Sequence, residues 1–218
     1  MSLSSLQLDI MQELINIGVG RAAGMLNQMV NTHIQLQVPV LRVMTPVQLA
    51  ALYATRPNSV FSAVQLSFTG EFAGLSALIF PPASADKLVS VILGNGNMPA
   101  DAAAMRTGTL QEVGNIVLNG VMGSIANILR EPLRYSPPDY LEADIGSIIG
   151  QSQGMVLVAS TQFSMKDHLI DGEVLIIFSL SSFDSLLGAI DALAATARIW
   201  ASVTPRPGLI RLADALPA

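Results

Sequence analysis

Residues 9–24 read DIMQELINIGVGRAAG, and residues 108–123 read GTLQEVGNIVLNGVMG. Laid over one another at an offset of 99, the two stretches share Glu13 with Glu112, Asn16 with Asn115 and Gly24 with Gly123. The same offset carries Pro39, separated from Asn16 by 22 intervening residues, onto Pro138. A second echo lies further on, where SALIFPPASADKLVSVIL (76–93) matches VLIIFSLSSFDSLLGAID (174–191). That match places Phe80 over Phe178, Asp86 over Asp184 and Leu88 over Leu186. Repetition on this scale reads as two homologous halves, about 1–97 and 98–197, making one domain over 1–218 with a short C-terminal tail.

Each half carries the same order of elements. Leu6, Ile10, Leu14, Ile17, Met25 and Met29 recur at helical spacing, which predicts a long helix from about Ser4 to Val30. The alternation of Ile34, Leu36, Val38 and Val40 predicts a half-buried strand over 33–44, and Pro39 marks it as an edge or a bulge. Thr45-Pro46 offers an N-cap followed by proline at the first helical position, the start of a short helix. Two strands, 59–69 and 71–80, are joined tightly at Thr69-Gly70-Glu71, and a helix from Ala83 closes the half before Gly94-Asn95-Gly96-Asn97. The second half is read as a helix over 102–130, a strand near 133–142, a hairpin of 154–165 with 169–180, and a helix over 182–197. Antiparallel hairpins with helices make the fold class α+β.

Gly18, Gly20 and Ala23 have the G-x-G-x-x-G/A spacing of a dinucleotide-binding loop. That motif must follow a strand and open a helix, because the pyrophosphate is held by free N–H groups at the helix start. Here the glycines fall inside a helical pattern, where those groups are bonded four residues back. Gly94-Asn95-Gly96-Asn97 lacks the Gly-Lys-Ser/Thr of a P-loop and reads as a turn. Glycine inside a helix costs roughly 1 kcal/mol relative to alanine, so Gly18, Gly20 and Gly24 call for a close-packed neighbour. Gly120, Gly123 and Ala126 offer the second long helix the same small surface.

The polar residues between them form a stripe. At about 100° per residue, Glu13 lies about 40° from Asp9 and Asn16 about 20° on its other side. Glu112 and Asn115 repeat this on the second helix, with Gly108 in place of Asp9.

Composition narrows the function further. Of 218 residues 51% are hydrophobic and 12% charged, the balance of a chain with a large buried core. A net charge of -5, with Lys87 and Lys166 as the two lysines, argues against a nucleic-acid surface. The absence of cysteine removes disulfides, thiolate nucleophiles and cysteine metal sites, and reads as an intracellular chain. The longest uncharged run, 145–165, holds too many Ser, Thr and Gln residues to cross a bilayer, and the N-terminus lacks a basic segment before its apolar residues. A cytoplasmic location is expected. His33 and His168 have no spaced acidic or histidine partner and suggest no metal site. Asp171-Gly172 reads as a turn signal, Arg130, Glu131 and Arg134 as an electrostatic cap of the second long helix, and Trp200 as a packing residue beyond the last helix.

Taken together, Asp9-x-x-x-Glu13-x-x-Asn16 with Pro39, and Glu112-x-x-Asn115 with Pro138, resemble the CheC group of the CheC/CheX/FliY phosphatases of bacterial chemotaxis. The family signature is Asp/Ser-x-x-x-Glu-x-x-Asn, 22 residues, then Pro. The second half departs from it at Gly108. The resemblance implies a pseudo-twofold, duplicated α+β fold with an antiparallel central sheet and two long helices on one face. It implies two-component signalling, with hydrolysis of the aspartyl phosphate of a CheY-like response regulator. Asn16 and Asn115 would orient the attacking water, while Glu13 and Glu112 would pair with the receiver's lysine; Asp9 would be accessory. No cofactor of its own is implied, since Mg²⁺ is expected on the phosphorylated partner. A CheD-like deamidase is a possible further partner by the same resemblance. The alternative is a non-catalytic, receiver-binding or flagellar-switch-like module. Retention of both Glu/Asn pairs favours the enzyme, because switch-type relatives lack them.

Overall fold

The computed structural model describes residues 3–29, 34–56, 60–93, 102–150, 154–165 and 168–203. The first half runs α1 (Ser5–Met29), β1 (Ile34–Met44), α2 (Pro46–Ala54), β2 (Phe61–Gly70), β3 (Gly74–Phe80) and α3 (Pro82–Leu93). The second runs α4 (Ala102–Leu129), β4 (Leu133–Tyr135), β5 (Asp139–Ala143), α5 (Ile145–Ile149), β6 (Met155–Met165), β7 (His168–Phe178) and α6 (Leu180–Val203). Local chemistry starts α2 as expected, and it starts α5, which the sequence reading did not name. Thr45 accepts from the Gln48 N–H while Gln48 reaches back to the Thr45 N–H, a reciprocal cap with Pro46 behind it. In the second half Asp144 caps α5 by accepting from the Ser147 N–H.

The strands form an antiparallel sheet in the order β1-β6-β7-β3-β2-β4, with β5 also paired to β2. Exchanging β1 with β4/β5, β2 with β6 and β3 with β7 reverses this order onto itself. The alternate residues of each strand face two cores. One is roofed by α1, α3, α4 and α6 and takes in Phe68, Phe80, Phe163 and Phe178. The other is smaller, covered by α2 and α5 over Phe61, Ile79, Val158 and Leu175. Both long helices therefore lie on one face, and their outer surfaces are open to solvent.

The two sheet edges break in the same way. On β1, Gln37 pairs with Gln162 and Val40 with Ser160, so Val38 and Pro39 face the single residue Thr161. On the opposite edge, Gln65 pairs with Asp139 and Phe68 with Tyr135. Leu66 and Ser67 there face three residues, Ser136, Pro137 and Pro138. Each extra residue is a bulge, and each holds one of the two prolines related by the offset of 99; proline has no N–H to give a ladder. The strand expected over 133–142 is thus two strands. Ser136 bridges the gap by donating its N–H to the Ser67 carbonyl and accepting the Ser67 N–H on Oγ, both at 2.9 Å.

Three other expectations are corrected. Asp171-Gly172 is not a turn: both residues sit inside β7, paired with Gln162 and Thr161, and a Cβ on Gly172 would meet the Phe80 ring at 2.6 Å. Trp200 falls within α6, which runs on to Val203. The end of α4 is closed by backbone rather than by charge. Arg130 takes a left-handed conformation (φ 59°), and the Glu131 N–H donates to the Ala126 carbonyl at 2.9 Å; Arg134 belongs to β4. His33 and Gly94-Asn95-Gly96-Asn97 lie outside the described residues.

Candidate functional site

The two long helices meet where the sequence is smallest. A Cβ on Gly18 would stand 2.5 Å from the Val121 Cα and 2.8 Å from the Gly120 carbonyl oxygen, and one on Gly120 would stand 3.0 Å from the Ala22 Cβ. The backbones touch here, so Gly18 and Gly120 earn their places by packing. Gly20, Gly24 and Gly123 do not, for nothing lies within 4 Å of their missing Cβ atoms. Packing explains part of the glycine pattern, and the rest faces outward. Arg21 adds a polar tie across the contact, its Nη1 donating to the buried Ser124 Oγ at 3.3 Å.

Beside this contact run the two polar stripes. On α1 the inward face is Ile10, Met11, Leu14, Ile15, Val19 and Ala22, all buried. That burial leaves Asp9, Glu13, Asn16 and Gly20 exposed in one row. On α4, Leu110, Val113, Gly114, Val117 and Val121 are buried; Gly108 and Glu112 are exposed, and Asn115 and Asn119 half-buried. Each helix thus brings its own Glu and Asn together, three residues apart on a rigid support. Among the described residues, the side chains of Asp9, Glu13, Asn16 and Glu112 form no hydrogen bond or ion pair, and they are available to a partner. Asn115 differs: its Oδ1 accepts from Asn119 Nδ2 at 2.6 Å. The sequence reading passed over Asn119, whose signal was its i, i+4 spacing from Asn115.

The start of each long helix is anchored. On α1, Ser4 and Gln7 cap one another, and Gln7 Nε2 donates to Asp191 Oδ1 on α6 at 3.0 Å. On α4, at the corresponding position, Arg106 donates to Asp86 Oδ1 and Glu142 Oε1, each at 2.7 Å, to Ser62 Oγ at 3.0 Å, and to the Tyr140 hydroxyl. Burial pulls the Arg106 guanidinium down, but its bonds to Asp86 and Tyr140 outweigh that and hold it above the ordinary value. The Tyr140 hydroxyl, with Arg106 behind it, holds the Glu142 carboxyl below its ordinary value. Sequence gave no sign of this cluster, because its members come from β2, α3, α4 and β5.

Across the sheet from the stripes lies an open cavity of about 250 Å³ lined by Arg56, Phe61, Ser160, Gln162, Asp171 and Glu173, among others. Arg56 stacks on the Tyr53 ring and donates two bonds of 3.0 Å to Glu173. Burial pushes the Glu173 carboxyl up to about 7, against the opposing charge of Arg42. Among the described residues no group of His, Cys, Asp or Glu could hold a metal ion, and no helix is long and apolar enough to cross a membrane.

No protein-family model matches the chain. It is 25% identical over 181 residues, 82% of its length and 80% of the relative's, to the CheY-P phosphatase CheC of Bacillus subtilis (strain 168). Its fold is similar to that of FliY from Thermotoga maritima, with a TM-score of 0.68 and 15% identity over 87% of this chain and 100% of that one. It is also similar to the FliM middle domain from H. pylori, with a TM-score of 0.63 and 12% identity over 86% and 99% of the two chains.

Proposed function

We propose that the chain is a CheC/CheX/FliY-type chemotaxis protein that hydrolyses the aspartyl phosphate of a CheY-like response regulator, a reading supported by its 25% identity to CheC and its FliY-like fold. The observation that carries this reading is a Glu/Asn pair at the same three-residue spacing on each of two adjoining helices, with both glutamates exposed. The two halves, about 1–97 and 98–197, would each supply one site.

An acyl phosphate is already activated, so the phosphatase supplies position rather than a nucleophile. The water oxygen adds to phosphorus as the bond from phosphorus to the aspartate oxygen breaks. The products are a free carboxylate and inorganic phosphate, which takes up both of the water's protons and releases one to solvent as the pH requires. Mg²⁺ and the lysine of the receiver would neutralise charge on the phosphoryl oxygens. Asn16 or Asn115 provides a neutral amide, donor and acceptor together, to hold the water in line. Glu13 or Glu112 pairs with the receiver's lysine and fixes the helix against its pocket. Asp9 would reach the rim of the same surface, and Gly108 leaves the second rim bare. A CheD-like deamidase as a further partner rests on the sequence resemblance alone.

The second reading, a receiver-binding or flagellar-switch-like module without hydrolysis, is favoured by the structural likeness to FliY and the FliM middle domain. The same stripes would then dock a partner. Phosphate release from a phosphorylated CheY-type receiver separates the two. With Asn16→Ala plus Asn115→Ala, release is expected to fall to the receiver's own rate, a loss of roughly 100-fold or more for groups acting in the transition state. If the wild type already adds nothing to the receiver's own rate yet binds it, the module reading stands instead.

A further inference from the structure

The stripes differ one helical turn past the asparagine. On α1 that position is Gly20, with open space around it. On α4 it is Asn119, whose Nδ2 lies 2.6 Å from Asn115 Oδ1. The Asn16 carboxamide is exposed and has no described partner, whereas that of Asn115 is half-buried and bonded.

We infer that Asn119 is a positioning residue: by fixing the carboxamide plane of Asn115 it makes the second stripe the preorganised site of the two. This rests on the phosphatase reading and deepens it. A carboxamide oxygen has two lone pairs, and Asn119 occupies one. The other, and both N–H groups, are left for the water. At the first stripe the orientation of Asn16 must be fixed each time a receiver docks; at the second it is fixed when the helix folds. The second stripe therefore keeps its turnover despite the bare rim at Gly108, and the gain expected from one immobilised side chain is about threefold to tenfold.

Two measurements on the full chain test this. The first needs no receiver: side-chain ¹⁵N relaxation of the asparagine carboxamides. Asn115 is expected to be more ordered than Asn16 and to fall to the level of Asn16 in Asn119→Ala. Equal mobility of the two in the wild type would overturn the inference. The second follows hydrolysis of a CheY-type receiver phosphorylated with acetyl phosphate and Mg²⁺, one stripe at a time. In an Asn16→Ala background, Asn119→Ala is expected to lower kcat about threefold to tenfold with KM unchanged. In an Asn115→Ala background, Gly20→Asn is expected to raise kcat by a similar factor. A KM change alone, or kcat unmoved in both backgrounds while Asn16→Ala plus Asn115→Ala abolishes hydrolysis, would sink the positioning role and leave the phosphatase reading intact. Wild-type hydrolysis by that double variant would remove the phosphatase reading, and the relaxation data would still decide whether Asn119 holds Asn115.

Discussion

The stripe on α1 and the stripe on α4 share Glu, Asn and a glycine at the helix contact, yet differ in what surrounds them. The first has an acidic rim in Asp9, a glycine one turn after its asparagine, and a helix start held through Gln7 to one residue of another element, Asp191. The second has a bare rim, an asparagine clamp, and a helix start held by Arg106 to four partners. One stripe is dressed for contact and the other for rigidity. A duplicated framework can keep the same Glu/Asn pair in both copies while varying what surrounds it.

The comparison can be broken most severely where the helices meet. Gly18→Ala forces a Cβ into the Val121 backbone and is expected to cost about 1–3 kcal/mol, read as a fall of several degrees in Tm. An unchanged Tm would mean that the contact is looser than described.

The unequal helix anchors come next. Arg106→Ala leaves Asp86 and Glu142 without their cation. Both are more than half exposed, so the expected loss is about 1–2 kcal/mol rather than the sum of its bonds. Gln7→Ala, losing one exposed bond and a cap, should cost less, roughly 0.5–1 kcal/mol. Urea titrations of the two variants give the ranking, and the reverse order would refute the asymmetry. The Glu142 carboxyl is held below its ordinary value near 4.5 in the folded chain. Its share of stability is complete above that pH and is lost as the pH falls through the folded value. The gap between wild type and Arg106→Ala should therefore narrow in acid.

The smallest effect has the opposite sign. Gly20 meets nothing, so Gly20→Ala should stabilise α1 by about 0.5–1 kcal/mol through helix propensity. A loss of stability would show that the outward glycine serves the fold. If stability rises while receiver hydrolysis at the first stripe weakens, the glycine serves the partner's approach.

What was legible in the sequence was local or periodic. The Thr45-Pro46 helix start, the helical phase of Asp9, Glu13 and Asn16, and the alternation along β1 are each written within a few residues. The offset of 99 extended that reading to the second half, where Glu112 is exposed as Glu13 is, while Asn115 is half-buried and bonded to Asn119. The illegible parts depend on distant partners. Residues 133–142 look continuous until β2 takes hold of them at two separate places. Asp171-Gly172 has the chemistry of a turn, but Phe80 beneath the glycine and the ladder to β6 keep it extended. Arg106 finds its four partners in three other elements, and no spacing announces them. Whether Gly18 packs while Gly20 does not is decided by which side of α1 meets α4, a matter of about 160° of helical rotation that composition does not encode.

The paired bulges at Pro39 and Pro138 have a consequence beyond the shape of the strands. A sheet of this kind has two open edges, β1 on one side and β4 with β5 on the other. Each would otherwise present a ladder of free N–H and carbonyl groups to any extended segment that drifted against it. Both edges are interrupted at a residue that cannot donate, and both are kinked there, so no long, flat run is left for another chain to zip onto. The twin prolines thus guard the chain against aggregation through its sheet. The helical side, where the Glu/Asn stripes are, presents no such ladder, because helix backbone groups are bonded within the helix.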